Sequence, residues 1–200
     1  MQLNQKFQNI FQTNPRMAIL VTGGAGYIGS HTAIELLNQG FEVVIIDNLY
    51  NSSKKAIFEI EGITGKKVSF YQYDLLNKEQ MTQVFTDNTI EAVIHFGGYK
   101  AVGESVHKPL EYYQNNLNST MVLLDVMRDF KCVKIVFSSS ATVYGDPTDE
   151  FIPIPEHCPT WPTNPYGRTK WMIEFMLKDL SNASDLNSVI LRYFNPAGTF

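Results

Sequence analysis

The sequence predicts an α/β protein with a doubly wound parallel sheet, and three observations carry that reading. From Met17 onward, six short apolar runs alternate with longer stretches of helical period. A glycine-rich turn joins the first run directly to the first such stretch. The composition, 44% apolar and 18% charged over 200 residues, suits one well-packed core and leaves little room for a second.

The runs AILVT (18–22), FEVVIID (41–47), KVSFYQ (67–72), EAVIHF (91–96), VKIVFS (133–138) and SVILRY (188–193) read as strands. Their continuous Val and Ile content fits strands covered on both faces, and the strand order expected for such a sheet is 3-2-1-4-5-6. Residues 27–39 read as a helix stopped by Gly40. A second helix starts at Pro109, a favoured first-turn residue, and carries Leu110, Tyr113, Leu117, Met121, Leu124 and Met127 at spacings of three and four. A third starts near Pro165 with Trp171, Phe175 and Leu177. Residues 145–163 hold Pro147, Pro153, Pro155, Pro159 and Pro162, which bar both a helix and an inner strand. That leaves a long loop, and loops of this length in compact domains are often functional. The opening segment MQLNQKFQNIFQTNPR (1–16) is rich in Gln and Asn, has no acid and lacks the apolar stretch of a secretory signal. It reads as a disordered extension before a domain at 17–200, with Met17 a possible natural start.

A net charge of −4 gives no general attraction to polyanions, so nucleic acid is not an expected partner and an anionic ligand must be held locally. No apolar run reaches the length of a membrane-spanning helix. The two cysteines, Cys132 and Cys158, form neither a disulfide framework nor a metal spacing, which fits a reducing, cytoplasmic setting without a metal site. The histidines His31, His95, His107 and His157 lack ligand spacing, and His95 is expected in the core on the fourth strand.

The turn Val21-Thr22-Gly23-Gly24-Ala25-Gly26-Tyr27-Ile28-Gly29 puts glycines at 23, 26 and 29, between a strand and a helix. Gly23 permits a tight turn, Gly26 lets a pyrophosphate approach main-chain N–H groups, and Gly29 allows close helix-on-strand packing. The helix N-terminus then faces the anion with unpaired donors. Glycines alone would also suit an ordinary turn; the strand before and helix after them favour the dinucleotide reading. Asp47, at the end of the second strand, lies where a carboxylate meets the adenosine ribose, accepting from both hydroxyls and repelling a 2′-phosphate. That favours NAD over NADP, although a turn or cap Asp is the alternative and Lys54 and Lys55 stand nearby. Asp74, after the third strand, is placed for the adenine amino group or for a helix cap.

Tyr166 and Lys170 lie four residues apart, on one face of a helix. Tyrosine ionises near pH 10, so it serves as a base at neutrality only if a cation stabilises the phenolate, and Lys170 with a positive nicotinamide would do that. The same spacing occurs at Tyr50 and Lys54, but these follow the second strand, on the adenosine side. Ser138-Ser139-Ser140 closes the fifth strand at the carboxyl edge, where open α/β sheets place ligands. A hydroxyl there would bind the substrate oxygen whose proton Tyr166 removes. The bland reading is a strand end capping the next turn.

The motifs TGGAGYIGSH (22–31), DNL (47–49), IHFGGYKAVGESV (94–106), PLEYYQNN (109–116), FSSSATVYGD (137–146), PYGRTK (165–170) and LRYFNPAG (191–198) resemble the UDP-glucose 4-epimerase family of the extended short-chain dehydrogenase/reductase superfamily, over about residues 17 to 198. The resemblance implies a Rossmann-type domain and a tightly held NAD that takes a hydride from C4 of a UDP-hexose while Tyr166 takes the O4 proton. The 4-keto sugar turns over and the hydride returns to its other face. By the same likeness Tyr27, Ile28, Asp47, Asn48, Leu49, Tyr50, Asn51, Ser52, Asp74, Leu75, Phe96, Gly97, Gly98, Tyr99, Lys100 and Asn115 line the NAD site. Ser140 and Tyr166 touch the sugar, Lys170 the nicotinamide ribose, Phe194 the nicotinamide and Asn195 the substrate. Homodimers form through helices near 109–130 and 165–181.

Three departures stand out: Gly97 and Tyr99 where small and aliphatic residues are usual, the extension 1–16, and a family pattern that continues past Phe200 into a last strand and a smaller substrate domain. A chain ending at Phe200 is expected to bind NAD weakly, to turn over near zero and to leave its sixth strand as an open edge. Two rival readings are a nucleotide-sugar 4,6-dehydratase or decarboxylase, which needs an acid pair where Ala141 and Thr142 stand, and a non-catalytic NAD-binding module, which would lose Tyr166 or Lys170.

Overall fold

A computed structural model describes residues 17–198. The elements are β1 (Ala18–Thr22), α1 (Tyr27–Asn38), β2 (Glu42–Ile46), α2 (Lys55–Thr64), β3 (Ser69–Tyr71), α3 (Lys78–Asp87), β4 (Ile90–His95), α4 (Val102–His107), α5 (Pro109–Asp129), β5 (Lys134–Ser140), α6 (Pro165–Ala183) and β6 (Asn187–Tyr193), with single 3-10 turns at Ala141–Tyr144 and Asp149–Phe151. The six strands form one sheet in the order β3-β2-β1-β4-β5-β6, all neighbours parallel. This is the doubly wound arrangement that the sequence predicts. The expected extension 1–16 lies outside the described residues.

Alternating side chains of the inner strands feed two cores. Leu20, Val44, Val93 and Phe137 meet α3, α5 and α6 through Met81, Val84, Leu123, Val126, Ile173 and Leu177. Ile19, Val21, Ile45, Ile94 and Val136 meet α1 and α2 through Ala33, Ile34, Leu37, Ile57 and Ile60. The strands are thus covered on both faces, which is why they read as unbroken apolar runs.

Two differences from the sequence reading have physical causes. The helices α2 and α4 are additions to the sequence reading: α2 has no capping side chain and exposes Phe58 and Ile63, so its pattern is blurred, while α4 is six residues long. β3 shrinks to three residues because only Ser69, Phe70 and Tyr71 find partners on β2. β5 runs on to Ser140, opposite Tyr193 of β6, so the serine triplet closes the strand as expected. Residues 145–163 are a loop as expected, apart from the turn at Asp149–Phe151.

A buried ion pair locks the last two elements together. Glu174 of α6 accepts from Arg192 Nη2 of β6 at 2.7 Å and Nε at 3.1 Å, and also from the hydroxyl of Ser139 on β5. Arg192 stacks over the Tyr144 ring at 4.8 Å. Removing one partner strands the other's charge, which is the costly way to break such a pair. Glu174→Ala is expected to lower the unfolding free energy by about 3 kcal/mol in urea titrations, with the helix content of the folded baseline unchanged.

Candidate active site

Sheet register brings the site together. Thr22 ends β1 level with Ile46 of β2 and His95 of β4, so the segments after three adjacent strands leave the sheet side by side. A cleft of about 650 Å³ opens over this edge. The glycine turn forms its floor: Gly23 has φ 67°, and a Cβ there would lie 2.9 Å from the Gly97 nitrogen. A Cβ on Gly29 would lie 2.3 Å from the Gly23 carbonyl. At Gly26, the residue preceding α1, it would meet only that carbonyl at 3.2 Å, and no side chain caps the helix. The first N–H groups of α1 therefore stay available to an anion.

Asp47 is buried beside the turn. Its Oδ2 accepts from Ala25 N at 3.0 Å, and its Oδ1 accepts from Leu49 N at 2.9 Å and Ser52 Oγ at 2.8 Å. It fastens the loop after β2 to the glycine turn and also faces the cleft. Asp74 accepts from Asn48 Nδ2 at 3.1 Å and does not cap α3, a task that falls to Asn77. Leu75 leans on the next loop so closely that a Cβ on Gly97 would come within 2.4 Å of it.

Of the residues expected in the site, Gly23, Gly26, Tyr27, Ile28, Gly29, Asp47, Asn48, Asn51, Asp74, Leu75, Phe96, Gly97, Gly98, Lys100, Asn115, Ser140, Tyr166, Lys170, Phe194 and Asn195 all line this one cleft. Leu49 and Ser52 do not. Leu49, at φ 61°, turns into the apolar core beneath α1 and α2, and the Ser52 hydroxyl is spent on Asp47. Tyr50 and Tyr99, within the segments that the likeness assigned to the cofactor, line it too, as does Thr142, which the sequence reading did not place in the site. Thr142 left a signal in the spacing of its hydroxyl two places after Ser140.

The Ser/Tyr/Lys set converges at the β5 end of the cleft. Thr142 donates to Ser140 Oγ through its N at 3.2 Å and its Oγ1 at 3.0 Å, which frees the Ser140 proton for the Tyr166 oxygen. Burial raises the Tyr166 pKa above its usual 10, and the bond from Ser140 works against that rise. The expected depression of the phenol by Lys170 is not found. The Lys170 ammonium donates to the Ser138 carbonyl at 2.7 Å, sits 4.8 Å over the Phe137 ring and lies 5.9 Å from the centre of the Tyr166 ring. It is itself desolvated, so burial, rather than charge, dominates both groups.

That burial pushes the Lys170 pKa down from 10.5 to about 8. Between those values the unfolded chain holds a proton that the folded chain has released, so raising the pH favours the folded state. The cofactor-free chain is expected to gain roughly 3 kcal/mol from this group between pH 8 and 10.5. Urea midpoints measured across that range should rise for the parent chain and lose this component in Lys170→Met.

His95 is fully buried on β4, with Nδ1 2.7 Å from Thr22 Oγ1 and Nε2 3.0 Å from Thr120 Oγ1. Thr120 spends its proton on the Asn116 carbonyl, so Nε2 carries the imidazole hydrogen and Nδ1 accepts from Thr22. Burial holds its pKa down to about 3, which keeps it neutral. No cluster of metal-ligating side chains occurs among the described residues.

A doubly wound sheet of this order, with a glycine turn after β1 and a cleft across its carboxyl edge, defines a Rossmann-type domain. Within that class, the chain belongs to the NAD dependent epimerase/dehydratase family, matched over residues 19–200. It is 59% identical to the UDP-glucose 4-epimerase of Bacillus subtilis (strain 168) over 183 residues, which is 91% of this chain and 53% of that protein. It is 56% identical over 183 residues to the bifunctional protein gal10 of Schizosaccharomyces pombe, covering 90% of this chain and 26% of that protein. The crystal structure of UDP-glucose 4-epimerase from Bifidobacterium longum in complex with NAD+ and UDP superposes with a TM-score of 0.89 at 53% identity, over 92% of this chain and 55% of that one. The chain spans about half the length of the UDP-glucose 4-epimerases that it matches.

Proposed function

We propose that residues 17–200 form the NAD-binding, proton-transferring domain of a UDP-glucose 4-epimerase, which interconverts UDP-galactose and UDP-glucose. The observation that carries the reading is the convergence of Ser140, Tyr166 and Lys170 on one cleft with the glycine turn. Its walls suit the cofactor: a Cβ at Gly23, Gly29 or Gly97 would strike neighbouring protein atoms and force the turn that shapes the cleft apart, the α1 terminus offers donors to a diphosphate, and Asp47 offers a carboxylate to a ribose in a way that disfavours a 2′-phosphate. Lys170 and Asn115 would hold the nicotinamide end beside Phe194.

When bound, NAD supplies reversible hydride acceptance at C4. The chain's own residues manage the proton. Ser140 orients the sugar O4 and donates to the Tyr166 oxygen, so the phenolate that removes the O4 proton is stabilised by that hydrogen bond. Phe137 and the surrounding core keep Lys170 out of water, which strengthens its influence once a positive ring lies beside it. After the 4-keto sugar turns over, Tyr166 returns the proton to O4. Ala141 and Thr142 occupy the position where a dehydratase needs acids, and Asp149 and Glu150 point into solvent, which favours epimerisation over elimination.

The same reading includes a homodimer through α5 and α6, supported by the exposed Leu110, Met121, Met172 and Phe175 on those helices. It also includes a cytoplasmic setting, supported by the two buried, unpaired cysteines. The test is a chimera in which residues 17–198 replace the matching half of the Bacillus subtilis enzyme. Incubated with UDP-galactose it should release UDP-glucose, and a folded chimera that yields a dehydrated sugar or nothing refutes the proposal.

A further inference from the structure

Two aromatic side chains meet across the cleft. Tyr50, on the loop after β2, and Tyr99, on the loop after β4, have ring centroids 5.0 Å apart at an interplanar angle of 34°. In the sheet these strands flank β1 on either side, so the two rings bridge the carboxyl edge of β1, where the glycine turn lies. Both rings line the cleft.

The two halves of the bridge differ in rigidity. Tyr99 is anchored: Asn116 accepts from its N–H at 2.7 Å and donates to its carbonyl at 3.0 Å, and its ring meets Tyr112 edge-on at 5.4 Å. Tyr112 is itself buried and bonded to Glu104. Tyr50 is 63% exposed, and the Tyr99 ring is its aromatic neighbour. A fixed ring thus faces a ring free to swing outward, on opposite sides of a groove that an extended ligand must enter lengthwise.

We propose that Tyr50 and Tyr99 form an aromatic clasp over a bound dinucleotide, and that parting the rings is a step in its release. The proposal rests on the dinucleotide reading of the cleft and deepens it, by assigning cofactor retention to the contact between two rings that the likeness to the family placed only among the residues lining the site. An aromatic pair worth this contact slows release roughly three- to tenfold relative to its absence. Because the clasp acts on an already bound ligand, its effect falls on dissociation rather than on association.

The test uses the chimera with the Bacillus subtilis enzyme, loaded with NADH and chased with excess NAD+, following the loss of bound-NADH fluorescence. Tyr50→Ala removes the exposed ring without touching the core and should speed release roughly three- to tenfold. Tyr50→Phe keeps the ring and should restore the slow rate, whereas a merely structural loop residue would not distinguish Ala from Phe in this way. Tyr99→Leu should match Tyr50→Ala. Equal release rates for the parent chimera and Tyr50→Ala overturn the clasp while leaving the dinucleotide site standing. No NADH binding by the folded parent chimera overturns that site, and the clasp with it.

Discussion

Tyr166→Phe, placed in the Bacillus subtilis chimera, is expected to lower kcat about a thousandfold while changing KM for UDP-galactose by less than about threefold. The ring stays, so the packing around it is kept. What goes is the oxygen that takes a proton from the sugar and receives one from Ser140. An interaction made chiefly in the transition state shows itself in kcat, and positioned proton transfer typically accounts for two to four orders of magnitude. Ser140→Ala should fall less, since it removes one donor and leaves the base. Burial holds the Tyr166 phenol above its usual range in the cofactor-free chain, so in the Ser140→Ala protein the acidic limb of the pH–rate profile, where the base becomes protonated, should move to higher pH. A Tyr166→Phe chimera that retained more than a tenth of the parent kcat would remove this side chain from the chemistry.

The parts of this site that were readable beforehand are the ones fixed by local spacing. The glycine turn, Asp47, Asp74 and the Tyr166/Lys170 pair each sit at a strand or helix end whose position follows from the apolar pattern, and all line the cleft. Side-chain direction was not readable. Leu49 and Ser52 fall inside a segment that the likeness assigned to the cofactor, but a left-handed backbone at Leu49 turns that side chain into the core. The Tyr50–Tyr99 contact was hidden for a different reason: its partners are 49 residues apart on two loops, and only the order of β2, β1 and β4 brings them together. Electrostatics were the least legible. Four-residue spacing suggested that Lys170 would face the Tyr166 oxygen, whereas the ammonium turns to the Ser138 carbonyl and its desolvation outweighs its charge.

Gly29→Ala is expected to have the largest effect on the cofactor-free fold of any single methyl group added to the glycine turn. A Cβ there lies 2.3 Å from the Gly23 carbonyl, 2.8 Å from the Gly24 Cα and 3.0 Å from the Gly23 carbonyl carbon, all of them backbone. Flexible side chains can yield to such a contact, but a turn held by Gly23 N to the Ile46 carbonyl at 2.8 Å and by Ala25 N to Asp47 cannot shift alone. The helix must lift from β1, opening the packing of Ala33 and Ile34 and moving the α1 N–H groups away from the anion position. Overpacking of this kind costs about 3 kcal/mol, and displaced donors should weaken NADH binding by roughly a hundredfold. The control is Gly62→Ala on α2, where nothing lies within 4 Å of the added carbon and the position is helical. There the same methyl should stabilise by roughly 0.5–1 kcal/mol through the unfolded chain. Urea titrations of both variants with NADH titrations of the folded protein separate the cases, and a Gly29→Ala chain as stable as the parent would mean that the turn does not hold the helix as closely as its geometry requires.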